Sequence, residues 1–247
     1  IDNPNFGLAD EYQWVFDPDN GTAEKAKEML VVIPCTTTPG DGKNFAVHVL
    51  PWEHAEIDGW NGYFTPRSFY NTFDTNDVRR DPLLTEWTDA DGVVHEVDDD
   101  RCLPHKYPID PNYTDQQNMG NDVPIIRMAD IYLARAEALN ELNGPNQTSI
   151  DLINAVRERA FEPDEPVSMG DFASKAELRD HILAERGWEL WCEGGIRRED
   201  LIRHGKYIQQ AQDRGVTDAG DHLVLYPIPR DVLDRNPNMK QNDGYVE

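Results

Sequence analysis

Basic residues are scarce in this sequence. Its 23 Lys and Arg face 47 Asp and Glu, which leaves a formal charge of −24. A surface this acidic repels phosphate backbones and anionic lipid, so nucleic-acid binding and direct adsorption to a membrane are disfavoured. Neutral or cationic ligands are easier partners, and adaptation to a saline habitat would leave the same signature. Cysteine is also sparse. Cys35, Cys102 and Cys192 are spaced too widely for a zinc knuckle or a redox pair. Cys192 reads as a small apolar residue of a buried helix, and a Cys35–Cys102 disulfide stays open for an oxidising compartment. No stretch approaches the roughly 20 apolar residues of a membrane-spanning helix. His-Glu-x-x-His and Gly-x-Ser-x-Gly are both missing, so two common hydrolase signatures do not apply. Asp17-Pro18-Asp19-Asn20-Gly21-Thr22 has its glycine one place early for a calcium loop and reads as an Asx-type turn. No metal and no cofactor is expected. The sequence opens on Ile1-Asp2-Asn3-Pro4-Asn5 without a leader and is expected to start inside a longer gene product.

What remains is a chain of 247 residues, enough for one large domain or two small ones. Its two parts differ in character. Residues 1–122 are irregular and rich in aromatics, Gly, Pro and Asp, and are expected to be a loop-rich, ligand-facing region. The run Glu28-Met29-Leu30-Val31-Val32-Ile33 suits a buried strand or a helix end. Leu84–Thr88 and Val93–Val97 flank Asp89-Ala90-Asp91-Gly92, which predicts a small β-hairpin. Residues 123–247 read as helical. Arg127–Asn143 carries a stripe of Ile131, Tyr132, Ala134, Ala138, Leu139 and Leu142, and Asn143-Gly144-Pro145 stops it. A second helix is expected from Ser149 to Ala160, with Ile150, Ile153, Val156 and Ala160 on one face. Ala134, Ala136 and Ala138 would let the two pack closely as an antiparallel pair like one tetratricopeptide unit, with an outer face that needs neighbours. A third helix begins at Ser174, where Ser174 and Glu177 form a capping box, and runs to Gly194-Gly195. A short helix at Arg198–His204 and an extended tail from His222 follow.

Four separated segments then resemble the SusD/RagB family. Phe64-Thr65-Pro66 through Phe69-Tyr70 to Asp77-Val78-Arg79-Arg80 is similar to the family's T-x-x-x-Y … D-x-R-R. Pro124-Ile125-Ile126-Arg127-Met128-Ala129-Asp130, Ala136-Glu137-Ala138-Leu139-Asn140 and Asn154-Ala155-Val156-Arg157-Glu158-Arg159-Ala160 resemble its central helix pair. Glu185-Arg186, Glu189-Leu190, Glu193-Gly194, Arg197 and Asp200-Leu201 through Gly205 resemble E-R-x-x-E-L-x-x-E-G-x-R-x-x-D-L-x-R-x-G, with one extra residue before Arg197. Tyr226-Pro227-Ile228-Pro229, Asn236-Pro237 and Gln241-Asn242 through Tyr245 are similar to its C-terminal P-I-P … N-P-x-x-x-Q-N-x-G-Y. The resemblance implies a mainly α fold, with tetratricopeptide-like helices, long irregular loops and the hairpin, in one continuous domain lacking its N-terminal half. It implies non-catalytic glycan capture at the outer membrane, anchored by a lipidated N-terminus not present in this chain. Its implied partners are a SusC-like TonB-dependent transporter and the missing half of the same protein.

Chemistry separates two groups of residues. Glu185, Glu189 and Glu193, at helical spacing, share one face with Arg186 beside them. With Arg79, Arg80, Arg127, Arg197 and Asp200 they are expected to form buried, bidentate ion pairs that fix the loops. A catalytic carboxylate pair for glycoside hydrolysis is the rival, but arginine neighbours would hold both carboxylates ionised and leave no general acid. The second group is aromatic. Trp14, Trp52, Trp60 and Tyr63 with Asn61 lie in the loop-rich part. Sugar C–H faces stack on such rings, and sugar hydroxyls pair with such amides. Glycines 59 and 62 would let that loop turn outward. The expected function is oligosaccharide capture, against a glycoside hydrolase and against a helical scaffold that binds only protein.

Overall fold

Dense turn residues keep the regular elements of the first part short, and only later does the sequence sustain full helices. The protein's structure, a computed structural model, describes residues 5–246, so the opening Ile1-Asp2-Asn3-Pro4 lies outside the described residues. In chain order come β1 (Met29–Ile33), α1 (Phe45–Val49), β2 (Thr65–Pro66), α2 (Arg67–Tyr70), β3 (Leu83–Leu84), β4 (Glu86–Thr88), β5 (Val94–Glu96), β6 (Arg101–Pro104) and β7 (Val123–Arg127). Then come α3 (Met128–Asn143), α4 (Gln147–Glu158), α5 (Lys175–Glu189), α6 (Ile196–Arg203), α7 (Tyr207–Asp213) and α8 (Arg230–Arg235). The architecture is helical with small antiparallel sheets: β1 with β7, β6 between β2 and β3, and the β4–β5 hairpin. Contacts part the chain into one unit up to Gly194 and a second from Gly195, while the compositional change at 122/123 falls just before β7.

In the first unit, the helices are built as their sequence ends dictate. Asn146 accepts from the Ser149 N–H to start α4, and Ser174 accepts from Glu177 to start α5. Glu177 answers the Ala173 N–H, one residue upstream of the reciprocal bond of a capping box. Gly144 ends α3 at φ 75°, where an L side chain would be strained. Ile150, Ile153 and Val156 pack with Ala129, Leu133, Ala136, Leu178 and Ile182, so α5 covers much of the face that the α3–α4 pair was expected to leave open. The buried side of α3 is Met128, Ala129, Leu133, Ala136 and Asn140, while Ile131, Ala134, Ala138 and Leu142 face solvent. The helix has apolar residues on two sides, and tertiary packing chose the one whose Ala136 carbonyl receives the Ser149 hydroxyl and whose Asn140 amide reaches Lys175.

Two further expectations, on the run at 29–33 and on Cys192, are corrected, and the open Cys35–Cys102 pairing is absent. The run at 29–33 is a strand, but its face is open: Leu30, Val31 and Ile33 are exposed, as are Ile125 and Ile126 on β7. All three cysteines are free thiols, so Cys35 and Cys102 are not joined. Cys192 lies beyond α5 in a left-handed turn, φ 57°, and is exposed rather than buried in a helix. The hairpin is as expected, with Gly92 at φ 81° and the Asp89 carboxylate accepting from the Asp91 and Val93 N–H groups. Asp17 and Asp19 converge on the Lys25 ammonium at 2.7 and 2.6 Å, a turn closed by a lysine.

The second unit holds α6 to α8. Asp200 accepts from Arg203 one turn on, at 2.7 Å. The tail is less extended than expected, since Pro229 opens the short helix α8. Gln241 clamps both backbone groups of Ile228, and the Tyr245 hydroxyl donates to the Leu225 carbonyl.

Candidate functional site

Two assemblies in the first unit concentrate the residues singled out in the sequence. The first is buried. Glu185 and Glu189, one turn apart on α5, point at Arg79: its Nη1 lies 2.6 Å from Glu185 Oε1 and 3.1 Å from Glu189 Oε2. Asp77, two residues before Arg79, takes the other edge of the guanidinium at 2.7 and 2.8 Å. Arg127, at the end of β7, reaches Glu28 at 2.7 Å, Glu189 at 2.6 Å and Glu193 at 2.7 Å. Arg157 meets Glu185 at 3.0 Å, and Arg159 meets Glu28 and Glu189. Lys106 completes the set, 2.6 Å from Glu193, among the rings of Tyr12, Phe16 and Trp191. The carboxylates Glu28, Asp77, Glu185, Glu189 and Glu193 thus equal the cations Arg79, Lys106, Arg127, Arg157 and Arg159 in number.

Electrostatics follow from that balance. Burial alone would raise the pKa of Glu189, yet Arg159, Arg127 and Arg79 hold it well below the ordinary carboxylate range. Glu193 is likewise lowered against burial by Arg127 and Lys106. Burial draws Lys106 down to about 8, against the pull of Glu193. The network ties the loop-rich residues 28, 77, 79 and 106 to helical residues more than a hundred positions away in places, which supports the scaffold reading geometrically.

Other motif residues have neighbours of their own. Arg186 pairs with Asp130 at 2.8 Å. Arg80 lies 4.1 Å over the Tyr70 ring. Arg197 and Asp200 belong to the second unit, where Arg197 is half-buried and Asp200 is bound by Arg203. Glu193 lies past the end of α5 at Glu189, in a turn where Cys192 and Gly194 are left-handed, so it is not on a helical face with Glu185 and Glu189. The sequence reading missed Glu28 and Lys106 as network members. Glu28 stands just before an apolar run, and Lys106 sits between prolines with its partner 87 residues away, so neither carries a local signal. Arg157 and Arg159 were visible as motif letters, but nothing local said what they bind.

The second assembly is on the surface. Helix α1 ends at Val49 with unmet carbonyls, as every helix does. The chain leaves, makes the loop 51–59 and returns to satisfy them. Gly59 N–H donates to the Pro51 carbonyl at 3.0 Å and closes the loop neck. Trp60 then donates to Val47 at 2.6 Å, Asn61 to Leu50 at 3.0 Å, and Gly62 and Tyr63 to His48 at 2.8 and 3.1 Å. Gly59 is required by closeness: a Cβ there would lie 1.8 Å from the Leu50 carbonyl oxygen. The left-handed position is Asn61, φ 51°, whereas glycine had been expected to supply the turn. Tyr113 and Gln116 brace the loop from outside through the carbonyls of Glu56 and Asp58.

This frame holds large aromatics in the open. Trp52 is 67% exposed, Trp60 53% and Tyr63 52%. Trp52 and Trp60 leave from the two arms of the loop neck. The His48 ring lies edge-on to Trp60 at 4.5 Å and 5.2 Å from Tyr63, and Phe45 stacks on Tyr63 at 6.5 Å. Trp14 is half-buried on the cluster of Ala9, Tyr12, Val15, Phe16 and Tyr107, and Phe45 reaches out from that same cluster. Trp87 is half-buried, stacked on His95 at 4.4 Å. Among the described residues no group of His, Cys, Asp and Glu side chains is arranged to hold a metal ion, and no helix is long and apolar enough to cross a membrane.

Comparison with known proteins gives the chain its relatives. The chain is 35% identical over 142 residues to the SusD-like protein P25 of Formosa agariphila, a match covering 55% of the chain and 26% of that protein. It is 33% identical to the starch-binding protein SusD of Bacteroides thetaiotaomicron over half of the chain and 22% of that protein. In solved structures it is similar to a SusD superfamily protein from Parabacteroides distasonis, with a TM-score of 0.77 at 18% identity, covering 98% of this chain and 54% of that one. It is also similar to surface glycan-binding protein A of Bacteroides thetaiotaomicron in complex with laminarihexaose, with a TM-score of 0.72 at 19% identity, covering 98% and 57%. The chain spans about half the length of such relatives. The SusD family model matches residues 83–245, and the chain belongs to that family.

Proposed function

We propose that this chain contributes the glycan-holding surface of a nutrient-capture protein at the outer membrane, acting without chemistry on its cargo. The observation that carries this reading is the exposure of Trp52, Trp60 and Tyr63 on a hydrogen-bonded frame. Wide-open indole and phenol faces cost hydrophobic free energy in water, and a sugar face laid on them recovers it. Asn61, exposed between Trp60 and Tyr63, adds amide donors and acceptors for hydroxyls. One relative named for binding starch and a structural neighbour solved with laminarihexaose support the ligand class. Family membership supports delivery to a SusC-like TonB-dependent transporter, with attachment through a lipidated N-terminus of the whole protein. Loose, exposed stacking suits a protein that must pass cargo on, because a tight complex releases slowly.

The hydrolase reading is weaker on this geometry. Glycoside hydrolysis needs one carboxyl that keeps its proton beside the sugar. Glu185, Glu189 and Glu193 are buried, and each is bonded to cations. The test is affinity electrophoresis through gels containing a panel of neutral polysaccharides, with a reducing-sugar assay in parallel. Retardation that Trp60→Ala abolishes, without release of reducing ends, is the expected result. Retardation unchanged in Trp60→Ala, or steady release of reducing ends, would overturn the proposal. A chain retarded by no glycan would instead favour a helical scaffold that binds only protein.

A further inference from the structure

The charges around the aromatic platform are as one-sided as its rings are open. Residues 44–66, which form α1, the loop and its return, contain no Lys or Arg. They do contain Glu53, Glu56 and Asp58, all exposed. The hairpin adds more carboxylate at the loop's edge. Ala55 N–H donates to the Thr88 carbonyl and Ala90 N–H to the Glu53 carbonyl, which brings the exposed Asp91 of the hairpin turn alongside.

The cations that do come near are already committed. Arg101 covers the Phe64 ring at 4.6 Å, but its guanidinium is bound by Asp98 at 2.6 Å and Asp100 at 3.2 Å. Arg67 spends its Nε on the Arg101 carbonyl at 3.1 Å. Lys43 stands over Phe45, 5.1 Å from the ring centre, and over Tyr107. Burial draws its pKa down to about 6. Recognition of a uronate or sulfate calls for a free guanidinium or ammonium at the sugar face. This platform offers stacking faces and the Asn61 amide instead, with carboxylates at its edge.

We infer, on the reading of the platform as a glycan site, that it takes uncharged sugar chains and excludes chains bearing carboxylate or sulfate groups. An uncharged sugar chain lies near these carboxylates without a charge conflict. An acidic substituent brought against Glu53, Glu56 and Asp58 meets like charge in a wet site, where the repulsion is modest per pair but additive, and is screened by salt. The general acidity of the chain would weaken anionic ligands everywhere; the specific content here is that three named side chains beside the platform set the preference.

The experiment compares one backbone in two charge states. A neutral polysaccharide that retards the chain is compared with its carboxymethylated form, by affinity electrophoresis at about 20 and about 500 mM salt. At low salt the carboxymethylated polymer should bind roughly tenfold more weakly. High salt should restore most of the loss. The variant Glu53→Gln/Glu56→Gln/Asp58→Asn should restore much of it at low salt while leaving affinity for the neutral polymer within about twofold. Equal or tighter binding of the carboxymethylated form overturns the inference and leaves the platform standing. A loss relieved by salt but not by the variant assigns the effect to the overall charge and also overturns it. If no polymer binds in a Trp60-dependent way, the platform reading itself fails and the inference fails with it.

Discussion

The buried network and the surface platform invert the usual placement of side chains. Charged residues form the interior knot, with Arg79 at 0% and Arg127 at 1% exposure, while tryptophans stand in solvent. Each departs from the common distribution, in which large aromatics are mostly covered and arginine and glutamate are mostly wet. The difference teaches where each is useful. Ion pairs inside are directional, so they fix the register of long loops that have few apolar side chains to pack. Rings outside are unspecific in direction and quick to exchange, so they suit transient contact with a sugar chain. One region should therefore govern stability and the other affinity, with little crossover because they share no side chain.

The sharpest way to break that comparison is Arg127→Ala. Its guanidinium is shared by Glu28, Glu189 and Glu193, and the site is dry. Loss of roughly 3–5 kcal/mol is expected, read as the shift in the urea midpoint, with glycan retardation intact wherever the variant remains folded. An unchanged midpoint with lost retardation would move Arg127 to the ligand site.

Acid should act on the same knot. Glu189 and Glu193 have folded pKa values below their unfolded values, so their contribution to stability is complete above the unfolded value of about 4.3. It is lost progressively as pH falls below that and approaches their folded values, because the unfolded chain then binds more protons. Urea midpoints followed from pH 7 to pH 3 should first decline through the histidine range, because burial holds His105 down at about 4, and should fall further below about pH 4.3 as the two glutamates lose their contribution. A curve with no further fall below about pH 4.3 would take Glu189 and Glu193 out of the stabilising network.

Gly59→Ala probes the frame between the two regions. The new methyl would sit 1.8 Å from a backbone oxygen, so the loop neck must open. A cost of about 1–3 kcal/mol is expected, with loss of glycan retardation as Trp52 and Trp60 lose their common base. Retention of full affinity would mean that the platform does not depend on the neck.

Trp60→Ala should have the smallest effect on stability. With half its surface in water and its ring edge-on to His48, it should change stability by less than about 1 kcal/mol while weakening glycan binding. A drop of several kcal/mol with affinity preserved would make Trp60 a plug in the core and dissolve the contrast.

How far the sequence reached differs between these regions. Capping residues, glycine stops and the hairpin turn were legible because they act within a few positions: Ser174, Gly144 and Gly92 do locally what their chemistry requires. The choice of loop 52–63 as a surface feature rested on composition, and the sequence held no sign that its returning segment would cap α1 through the carbonyls of Val47, His48 and Leu50. The face of α3 was misread because two apolar stripes compete on one helix.

By itself, then, the sequence determined what short-range physics decides: where helices start and stop, where the chain turns, that the surface is strongly acidic, and which motif letters place it beside its relatives. Tertiary structure alone decided which partners those letters meet. Lys106 has no local reason to lie beside Glu193, nor Glu28 beside Arg127 and Arg159; burial removes water as the competing partner, and only then does a particular carboxylate belong to a particular cation.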